Sequence, residues 1–354
     1  MNYSLFIAEK GNAMKGLVYH GPNILRYEDV ADVSPGEGEI KIRPKAVGIC
    51  GSDVHGYLGL TGRRTAPMIM GHEFAGVVEE LGAGVSGFKP GDRITAYPVW
   101  FCEECGPCKQ GNVHLCDRRR QYGVLAENGA FADFLNVPAK CCFKLADNVS
   151  FEVGSLMEPL AVAYRAVGRA GRERIAGKKI FMVGTGTIGL LALACVRLHD
   201  PKMIIVSDLS DSRLDVAKRM GATHVVNPSH EDVVEAVGKL TDCGADTAFE
   251  AVGAGPTVQQ AMSALRMSGT AVWIGNNKPM IEVNMQQIVT RELTVFGSFL
   301  YNFEEFKTVV GLLNEGKIDA EPMLSKIAPM SEGPAMFEKM AKDPGDWIKV
   351  ILTN

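Results

Sequence analysis

Four closely spaced cysteines are the clearest chemical signal in this chain. They form the pattern C-x2-C-x2-C-x7-C at Cys102, Cys105, Cys108 and Cys116. Thiolates at this spacing can surround one Zn²⁺ ion tetrahedrally, and Gly106 and Gly111 let the chain bend around it. Because the protein would fill all four coordination positions, we predict a structural zinc site that stabilises a lobe without its own hydrophobic core. Four free thiols or a redox-responsive cluster are the alternatives.

A second set of metal-binding side chains is dispersed along the chain. Cys50 lies in the segment GICGSD, His72 in GHE and Glu158 in MEPL. Catalytic zinc usually takes three protein ligands of mixed type and leaves one position open. Cys50 and His72 supply sulfur and nitrogen, and a carboxylate would complete the set. Spacing alone does not separate this site from a buried cysteine and a hydrogen-bonded histidine.

A glycine-rich segment follows the apolar run Lys179–Val183. It reads G-T-G-T-I-G and matches G-x-G-x-x-G, which binds a dinucleotide pyrophosphate at a helix N-terminus. The predicted cofactor contacts are Gly184, Gly186, Thr187, Ile188 and Gly189. Asp208 ends the next predicted strand, where a carboxylate can hold both ribose hydroxyls. A structural glycine turn is the alternative.

The carboxylate of Asp208 also bears on the choice of cofactor. It would repel the 2′-phosphate of NADP, so NAD is the favoured cofactor. Arg213 keeps NADP open, because a nearby guanidinium can accommodate that phosphate. Arg213 is otherwise expected on the helix surface or packed against the adenine.

With these motifs the chain resembles the zinc-containing medium-chain dehydrogenase/reductase family, nearest to its polyol (sorbitol-type) dehydrogenase branch. Matching segments run from Val47 to Tyr301. The resemblance implies an α/β plus β architecture, with a GroES-like β-rich catalytic domain and a Rossmann domain with a doubly wound parallel sheet. It also implies hydride transfer between NAD(P) and a polyol or secondary alcohol, phosphorylated or not. The substrate is then a small molecule.

The resemblance further implies two Zn²⁺ ions per chain, one catalytic and one structural. Cys50 and His72 match catalytic zinc ligands, and Glu73 matches the third ligand of sorbitol-type members. Glu158 would bind zinc directly or hold it through water. Ser52 would receive the proton of the alcohol, and His55 would relay it outward unless it is an exposed loop histidine.

The resemblance leaves the substrate and part of the cofactor site less defined. Tyr57 and Tyr301 are expected in the substrate cleft or in plain packing. We also expect cofactor contacts from Val252, Ile274, Gly275, Ser298 and Phe299. Sorbitol-type enzymes carry Phe-Arg-Tyr where this chain has Phe-Leu-Tyr at 299–301, and Leu300 cannot hydrogen-bond a polyol.

Two arginine runs lie near these motifs. Arg63 and Arg64 precede the GHE segment and are expected to be solvated loop charges, with binding of an anionic or phosphorylated polyol as the alternative. The run Arg118–Arg120 follows the four-cysteine segment and is expected to be exposed.

The elements that must position these residues fall into two patterns. From Lys15 to Pro159 the chain has short strand-like runs broken by Gly and Pro. From Ala161 to Gly297 strands alternate with helices, which indicates a parallel sheet with right-handed crossovers. We therefore predict a catalytic domain over 1–160 and 298–354 and a dinucleotide-binding domain over 161–297.

Composition narrows the function classes. A net charge of −4, with 46% hydrophobic and 22% charged residues, favours a globular protein and gives no reason to expect nucleic acid or a membrane as a partner. Ile180–Val196 is uncharged, but its glycine cluster indicates a turn and not a membrane span.

Cysteine usage and the chain start bear on the cell compartment. Nine cysteines, an odd number, favour metal ligation in a reducing cytoplasm over disulfides. The start of the chain carries no export-signal pattern, and we expect an extension before Met14.

The sequence is compatible with three hypotheses about function. We favour the zinc-dependent dehydrogenase, acting as a homodimer or homotetramer by family analogy. A zinc-free quinone or enone reductase on the same fold is one alternative. A non-enzymatic dinucleotide or redox sensor with only structural zinc is the other.

Overall fold

The computed structural model describes residues 13–354, and the extension expected before Met14 lies mainly outside them. The contacts divide the chain into two compact units. Unit 1 comprises Met1–Glu158, Asn302–Glu315 and Leu324–Asn354, and unit 2 comprises Pro159–Tyr301 and Gly316–Met323. The predicted boundaries at 160, 161, 297 and 298 lie within a few residues of this division, except that Gly316–Met323 is grouped with unit 2. We propose that unit 1 carries the catalytic residues and that unit 2 binds the dinucleotide.

Unit 1 consists mainly of β-strands. Its strands are β1 (Ala13–Gly21), β2 (Ile24–Ala31), β3 (Glu39–Ile49), β4 (Met68–Ile69), β5 (Glu73–Leu81), β6 (Arg93–Ala96), β7 (Val99–Trp100), β8 (Arg120–Tyr122), β9 (Ala126–Glu127), β10 (Leu135–Pro138), β11 (Cys142–Lys144), β18 (Leu324–Pro329) and β19 (Lys349–Thr353). Its helices are α1 (Gly51–Tyr57), α2 (Gly106–Lys109), α3 (Phe151–Gly154), α10 (Phe303–Asn314) and α11 (Gly333–Lys342).

In the main sheet of unit 1, the end of β3 lies beside the start of β5 and beside β19. Its order is β11-β6-β5-β3-β19-β18, and β10 also pairs with β3. The central strand β3 is antiparallel to both β5 and β19, so Gly48 lies opposite Glu73 on one side and Ile351 on the other. Buried side chains from these strands and from β1 form the core, including Leu17, Ile40 and Phe74. This sheet therefore fixes where the GHE segment and the last strand meet β3.

Unit 2 is an alternating α/β structure. Its strands are β12 (Lys179–Val183), β13 (Met203–Ser207), β14 (His224–Val226), β15 (Ala245–Glu250), β16 (Leu265–Trp273) and β17 (Thr294–Gly297). Its helices are α4 (Met157–Ala170), which begins at the boundary with unit 1, α5 (Thr187–Arg197), α6 (Asp211–Arg219), α7 (Val233–Thr241), α8 (Gly255–Ser263) and α9 (Met285–Thr290).

The strands of unit 2 form one parallel sheet in the order β14-β13-β12-β15-β16-β17. The strand order reverses between β12 and β15, and in such sheets ligands bind at the carboxyl ends of the strands at this point. Phe181, Ile205 and Ala248 lie in the core beneath. The predicted parallel sheet is confirmed, and the predicted strand 179–183 coincides with β12. Among residues 13–354, no helix is long and apolar enough to cross a membrane.

Candidate active site and metal centres

The dispersed metal-binding residues of unit 1 meet at the end of β3. Cys50 is the N-cap of α1, directly after β3, and Glu73 is the first residue of β5, opposite Gly48. One ligand atom each of Cys50, His72 and Glu73 lies within 4.8 Å of the others. His72 and Glu73 are 3% and 1% exposed, so water competes little for these atoms. Sulfur, nitrogen and oxygen donors this close together are a donor set that zinc accepts.

Asp53 organises this group from the first turn of α1. Its Oδ2 accepts a hydrogen bond from the backbone N–H of Cys50 at 3.2 Å, and its Oδ1 lies 3.4 Å from Nδ1 of His72. A carboxylate beside one imidazole nitrogen fixes the ring and leaves the other nitrogen for a metal. The thiol sulfur of Cys50 also accepts the N–H of Ser52 at 3.4 Å.

The electrostatics of this group favour a cation. Burial alone would raise the pKa of Asp53, but the neighbouring His72 and Arg64 outweigh it and lower the pKa to about 2. Burial alone would lower the pKa of His72, but Asp53 and Cys50 raise it well above the ordinary value. A buried position that holds positive charge between a carboxylate and a thiol is one that Zn²⁺ fits.

Glu73 has a second partner in the last strand. Its Oε2 forms a buried ion pair with Nζ of Lys349, the first residue of β19, and Nζ also donates to the carbonyl of Ile49 at 3.1 Å. A Cβ atom on Gly48 would lie 2.3 Å from Oε2 of Glu73 and 2.7 Å from Cε of Lys349. Glycine at position 48 therefore makes room for this pair.

The other predicted catalytic residues lie on α1 and α4. Glu158 is buried in the first turn of α4, and the three-residue group found among residues 13–354 does not include it. Ser52 and His55 are half-buried and lie three residues apart on α1, so they share one helix face. Tyr57 belongs to the core of unit 1, where its ring packs against Phe337 and its hydroxyl donates to the carbonyl of Asn23 at 3.3 Å. This position favours the packing alternative for Tyr57.

The four-cysteine segment closes into a compact group. The four sulfurs all lie within 4.8 Å of one another. The distance from Sγ of Cys102 is 3.5 Å to Sγ of Cys116 and 4.0 Å to Sγ of Cys108. A tetrahedral zinc with bonds of about 2.3 Å separates its sulfurs by about 3.8 Å, so the group fits this ion. Gly111 has a φ of +79°, which allows the predicted bend, whereas Gly106 begins α2.

Backbone N–H groups and burial shift the pKa values of these thiols. Burial opposes ionisation of Cys102, but the backbone N–H groups of Cys105 and Glu104 lower its pKa to about 6. Burial raises the pKa of Cys108 to about 12. The backbone N–H of Arg118 also donates to Sγ of Cys116 at 3.3 Å. The thiolate is the form that binds a metal ion, so the lowered pKa of Cys102 favours metal binding.

The glycine-rich segment of unit 2 forms a tight turn between β12 and α5. Gly184 has a φ of +94°, and a Cβ atom on Gly189 would lie 1.9 Å from the carbonyl oxygen of Gly184. Gly186 is the N-cap of α5, and a Cβ atom there would meet nothing within 4 Å. Gly184 thus permits the tight turn, and Gly189 permits the close approach of α5 to that turn. Gly186 leaves the N-terminus of α5, with Thr187 and Ile188, open to an anion.

Asp208 follows β13 and borders the glycine turn. Its Oδ2 accepts the N–H of Thr185 at 2.7 Å, and its Oδ1 accepts the N–H of Ser210 at 3.0 Å. Arg213 lies half-buried in the first turn of α6. The carboxylate is therefore fixed beside the turn that would hold the pyrophosphate.

The remaining predicted cofactor residues follow the next strands of the same sheet. Val252 comes after β15, Ile274 and Gly275 after β16, and Ser298 and Phe299 after β17, and all are half-buried. A Cβ atom on Gly275 would lie 2.1 Å from the backbone nitrogen of Gly253, so the loops after β15 and β16 pack backbone against backbone. Tyr301 is fully buried.

The structure corrects two expectations about charged loop residues. Arg63 is exposed as expected, but the side chain of Arg64 is only 1% exposed and pairs with Asp53. The run Arg118–Arg120 is not uniformly exposed, because Arg119 is half-buried and donates to the carbonyl of His114 at 3.1 Å. Both side chains find partners in the folded chain that local spacing does not reveal.

Sequence reasoning missed several residues of the candidate site. Asp53 stands three residues after Cys50, the spacing of a capping box, which was a usable signal. Lys349 is a lysine within an apolar final strand, which indicates a buried partner. No local pattern marks Arg64 or the close approach of side chains to Gly48.

Comparisons with known proteins agree with this geometry. Residues 36–147 match the family model described as alcohol dehydrogenase GroES-like domain, and residues 187–315 match that described as zinc-binding dehydrogenase. The chain is 33% identical over 324 residues to the protein named Probable D-xylulose reductase A of Neosartorya fischeri, covering 89% of each chain. It is 32% identical to Sorbitol dehydrogenase of Halalkalibacterium halodurans, covering 96% of this chain and 99% of that one.

A solved structure shows the same fold. It is a candidate zinc-binding dehydrogenase from Sinorhizobium meliloti 1021 bound to NADP, with a TM-score of 0.90, 31% identity, and coverage of 97% of this chain and 99% of that one. The GroES-like unit and the Rossmann-like parallel sheet are thus confirmed. By its motifs, its fold and its relatives, the chain belongs to the zinc-containing medium-chain dehydrogenase/reductase family, in the polyol dehydrogenase branch.

Proposed function

We propose that this protein oxidises a polyol or secondary alcohol and transfers the hydride to a nicotinamide dinucleotide, or runs the reverse reduction. The observation that carries this proposal is the buried group of Cys50, His72 and Glu73, whose donor atoms lie within 4.8 Å of one another. The fixed glycine turn with Asp208 in unit 2 supports the cofactor. The names of the relatives, which include a xylulose reductase and a sorbitol dehydrogenase, support a polyol as substrate.

Each residue of the candidate site would have its own role in the reaction. Cys50, His72 and Glu73 would hold a zinc ion, with Glu158 close to it directly or through water. When bound, zinc supplies Lewis-acid chemistry that lowers the pKa of a substrate hydroxyl. Ser52 would accept the hydroxyl proton and pass it toward His55, while the carbinol carbon gives up its hydride. Asp53 would keep the ring of His72 in place throughout.

The details of the cofactors belong to the same proposal. Two Zn²⁺ ions per chain are supported by two separate donor groups, one of three residues and one of four cysteines. NAD is favoured because the carboxylate of Asp208 is fixed at the glycine turn and would repel a 2′-phosphate. The relative from Sinorhizobium meliloti binds NADP, so both cofactors have to be compared.

We also propose a homodimer or homotetramer in the cytoplasm. Met280, Met285 and Val289 of unit 2 are 86%, 73% and 62% exposed, and exposed apolar side chains of this size favour self-association. All nine cysteines are free, which suits a reducing compartment. Light scattering coupled to size-exclusion chromatography measures the assembly state.

Zinc analysis and turnover together test the proposed function. We expect two zinc ions per chain and formation of NADH with members of a panel of polyols, polyol phosphates and secondary alcohols, assayed with both NAD and NADP. One zinc and no turnover would favour a dinucleotide or redox sensor. Turnover of quinones or enones with an empty Cys50 site would favour a zinc-free reductase.

A further inference from the structure

Arg64 is a buried cation that the proposed chemistry has not yet used. It lies in the loop between α1 and β4, and its side chain is 1% exposed. The side chain lies across α1 at Gly56, where a Cβ atom would be 2.7 Å from Cδ and 2.8 Å from Nε of Arg64. Helix α1 therefore carries a glycine where the arginine crosses it. The neighbouring Arg63 is exposed.

One terminal nitrogen of Arg64 makes two contacts with the candidate active site. Its Nη2 donates to Oδ1 of Asp53 at 2.7 Å and to Oγ of Ser52 at 3.3 Å. Asp53 in turn contacts His72 and the backbone N–H of Cys50. The two hydrogens of Nη2 thus connect the predicted proton acceptor with the carboxylate that holds a predicted zinc ligand.

The burial of Arg64 is unfavourable for a residue that serves stability alone. Its Nε and Nη1 are buried and have no hydrogen-bond partner among residues 13–354. Unsatisfied donors on a buried charge lower stability, and apolar residues of similar volume often replace buried ion pairs without loss. Both atoms are also closed off, so a substrate phosphate or carboxylate cannot reach them. A role inside the site explains this arrangement better than packing or anion binding.

We propose that Arg64 is a positioning residue for hydride transfer, an inference that rests on the proposed function. Through Nη2 it holds Asp53 against His72 and orients the hydroxyl of Ser52. A serine hydroxyl has one hydrogen to donate and two lone pairs. Arg64 occupies one lone pair, so the other can accept the substrate proton while the original hydrogen leaves toward His55. The O–H bond of the substrate breaks, a new O–H bond forms on Ser52, and one proton departs.

Arg64→Met tests this role, with Arg63→Met as the matched control on the exposed neighbour. For Arg64→Met we expect zinc release to a chelator from the three-residue site to accelerate about 10–100-fold, as for other residues that orient metal ligands. We expect kcat to fall by a similar factor at unchanged KM. In Arg64→Met, zinc release from the four-cysteine site should match that of the parent protein. In Arg63→Met, both zinc release and kcat should match those of the parent protein.

The absorption spectrum of the cobalt-substituted protein separates positioning from folding. Arg64→Met should shift the ligand-field bands of cobalt at the three-residue site. Parent-like bands, zinc release and kcat in a folded Arg64→Met variant would overturn the proposal, as would a lower melting temperature alone. If the parent protein shows no dehydrogenase activity, the proposed function fails, but zinc release and the cobalt bands still decide whether Arg64 positions Asp53 and His72.

A second variant guards against misfolding. Arg64→Met leaves the carboxylate of Asp53 buried without its cation, whereas Arg64→Met combined with Asp53→Asn removes both charges. We expect the double variant to fold and still release zinc about 10–100-fold faster. Zinc release and kcat equal to those of the parent protein would count against the positioning role.

Discussion

The thiol of Cys50 is the residue on which the candidate catalytic centre depends most directly. It caps α1, accepts the N–H of Ser52, and lies with His72 and Glu73 in one buried group. Cys50→Ser replaces a soft sulfur ligand by a hydroxyl that is not ionised at neutral pH. We expect loss of turnover and of one zinc ion per chain, with the circular dichroism spectrum unchanged. A fully active variant would refute the catalytic assignment.

The surroundings of Gly48 lead to a prediction about the effect of adding one methyl group. Its Cα faces the buried pair of Glu73 and Lys349, and a Cβ atom would overlap both side chains. We expect Gly48→Ala to lower the free energy of unfolding by about 1–3 kcal/mol, the usual range for overpacking, and to weaken zinc binding at the three-residue site.

Gly311→Ala is the matched control for this substitution in the same unit. A Cβ atom at this position in α10 would meet nothing within 4 Å. Removing a helical glycine there should stabilise the protein by about 0.5–1 kcal/mol. Chemical denaturation and zinc titration measure both variants. Equal effects of the two substitutions would contradict the proposed overlap at Gly48.

At the scale of elements, the lobe around α2 depends on its cysteines. The lobe consists of the short elements β7, α2, β8 and β9, which offer little area for a hydrophobic core. Cys105→Ser should therefore release one zinc ion and lower the melting temperature, because metal binding supplies folding free energy in such segments. Cys243→Ser, at an exposed free cysteine outside both groups, should have no effect. Unchanged melting of Cys105→Ser would rule out a structural role.

Strand β15 of unit 2 depends on a carboxylate that ties three strands together. Asp246 accepts the backbone N–H of Lys179 in β12 at 2.9 Å and pairs with Nε of Arg266 in β16 at 2.7 Å. Burial alone would raise its pKa, but Arg266 and the N–H of Lys179 lower the pKa below the ordinary value. Its stabilising effect is therefore complete above the unfolded-state pKa of about 3.9.

Asp246→Asn should lower the free energy of unfolding by about 1–3 kcal/mol at neutral pH. The difference from the parent protein should shrink as the pH falls below about 4, because the carboxylate of the parent protein is then protonated, first in the unfolded state and at lower pH in the folded state. Urea denaturation over a pH series measures this. Asp215→Asn, at an exposed position of α6, should change stability by less than about 1 kcal/mol. A pH-independent effect of Asp246→Asn would contradict the electrostatic explanation.

At the scale of the whole molecule, the two units have separate cores and separate predicted ligands. The core of unit 1 includes Ile40 and Phe74, and that of unit 2 includes Phe181 and Ile205. A ligand that binds only the folded state stabilises it by about 2.7 kcal/mol at one hundred times its Kd. We expect NADH to slow hydrogen exchange in β12 and α5, and a zinc chelator to accelerate it around the four cysteines. Slower exchange confined to unit 1 with NADH would contradict the cofactor assignment.

Local sequence patterns determined much of this protein. The glycine motif and the alternation of strands and helices predicted the parallel sheet of unit 2, and the four-cysteine spacing predicted the four-cysteine group, because these signals arise within short segments of the chain. The ligand set of Cys50, His72 and Glu73 is dispersed, and the resemblance to a family implied it. The same local character limited the prediction of charged residues. Arg63 and Arg64 have the same sequence signature, yet one is exposed and the other is buried against Asp53.

Only the tertiary structure decided how the candidate centre is supported. Glu73 and Lys349 are 276 residues apart in the chain and meet because β5 and β19 flank β3. Gly48 leaves room for this pair, and Arg64 is buried because it pairs with Asp53 and crosses α1 at Gly56. Such contacts depend on the register and packing of distant strands, whereas residue spacing reports only on neighbours along the chain.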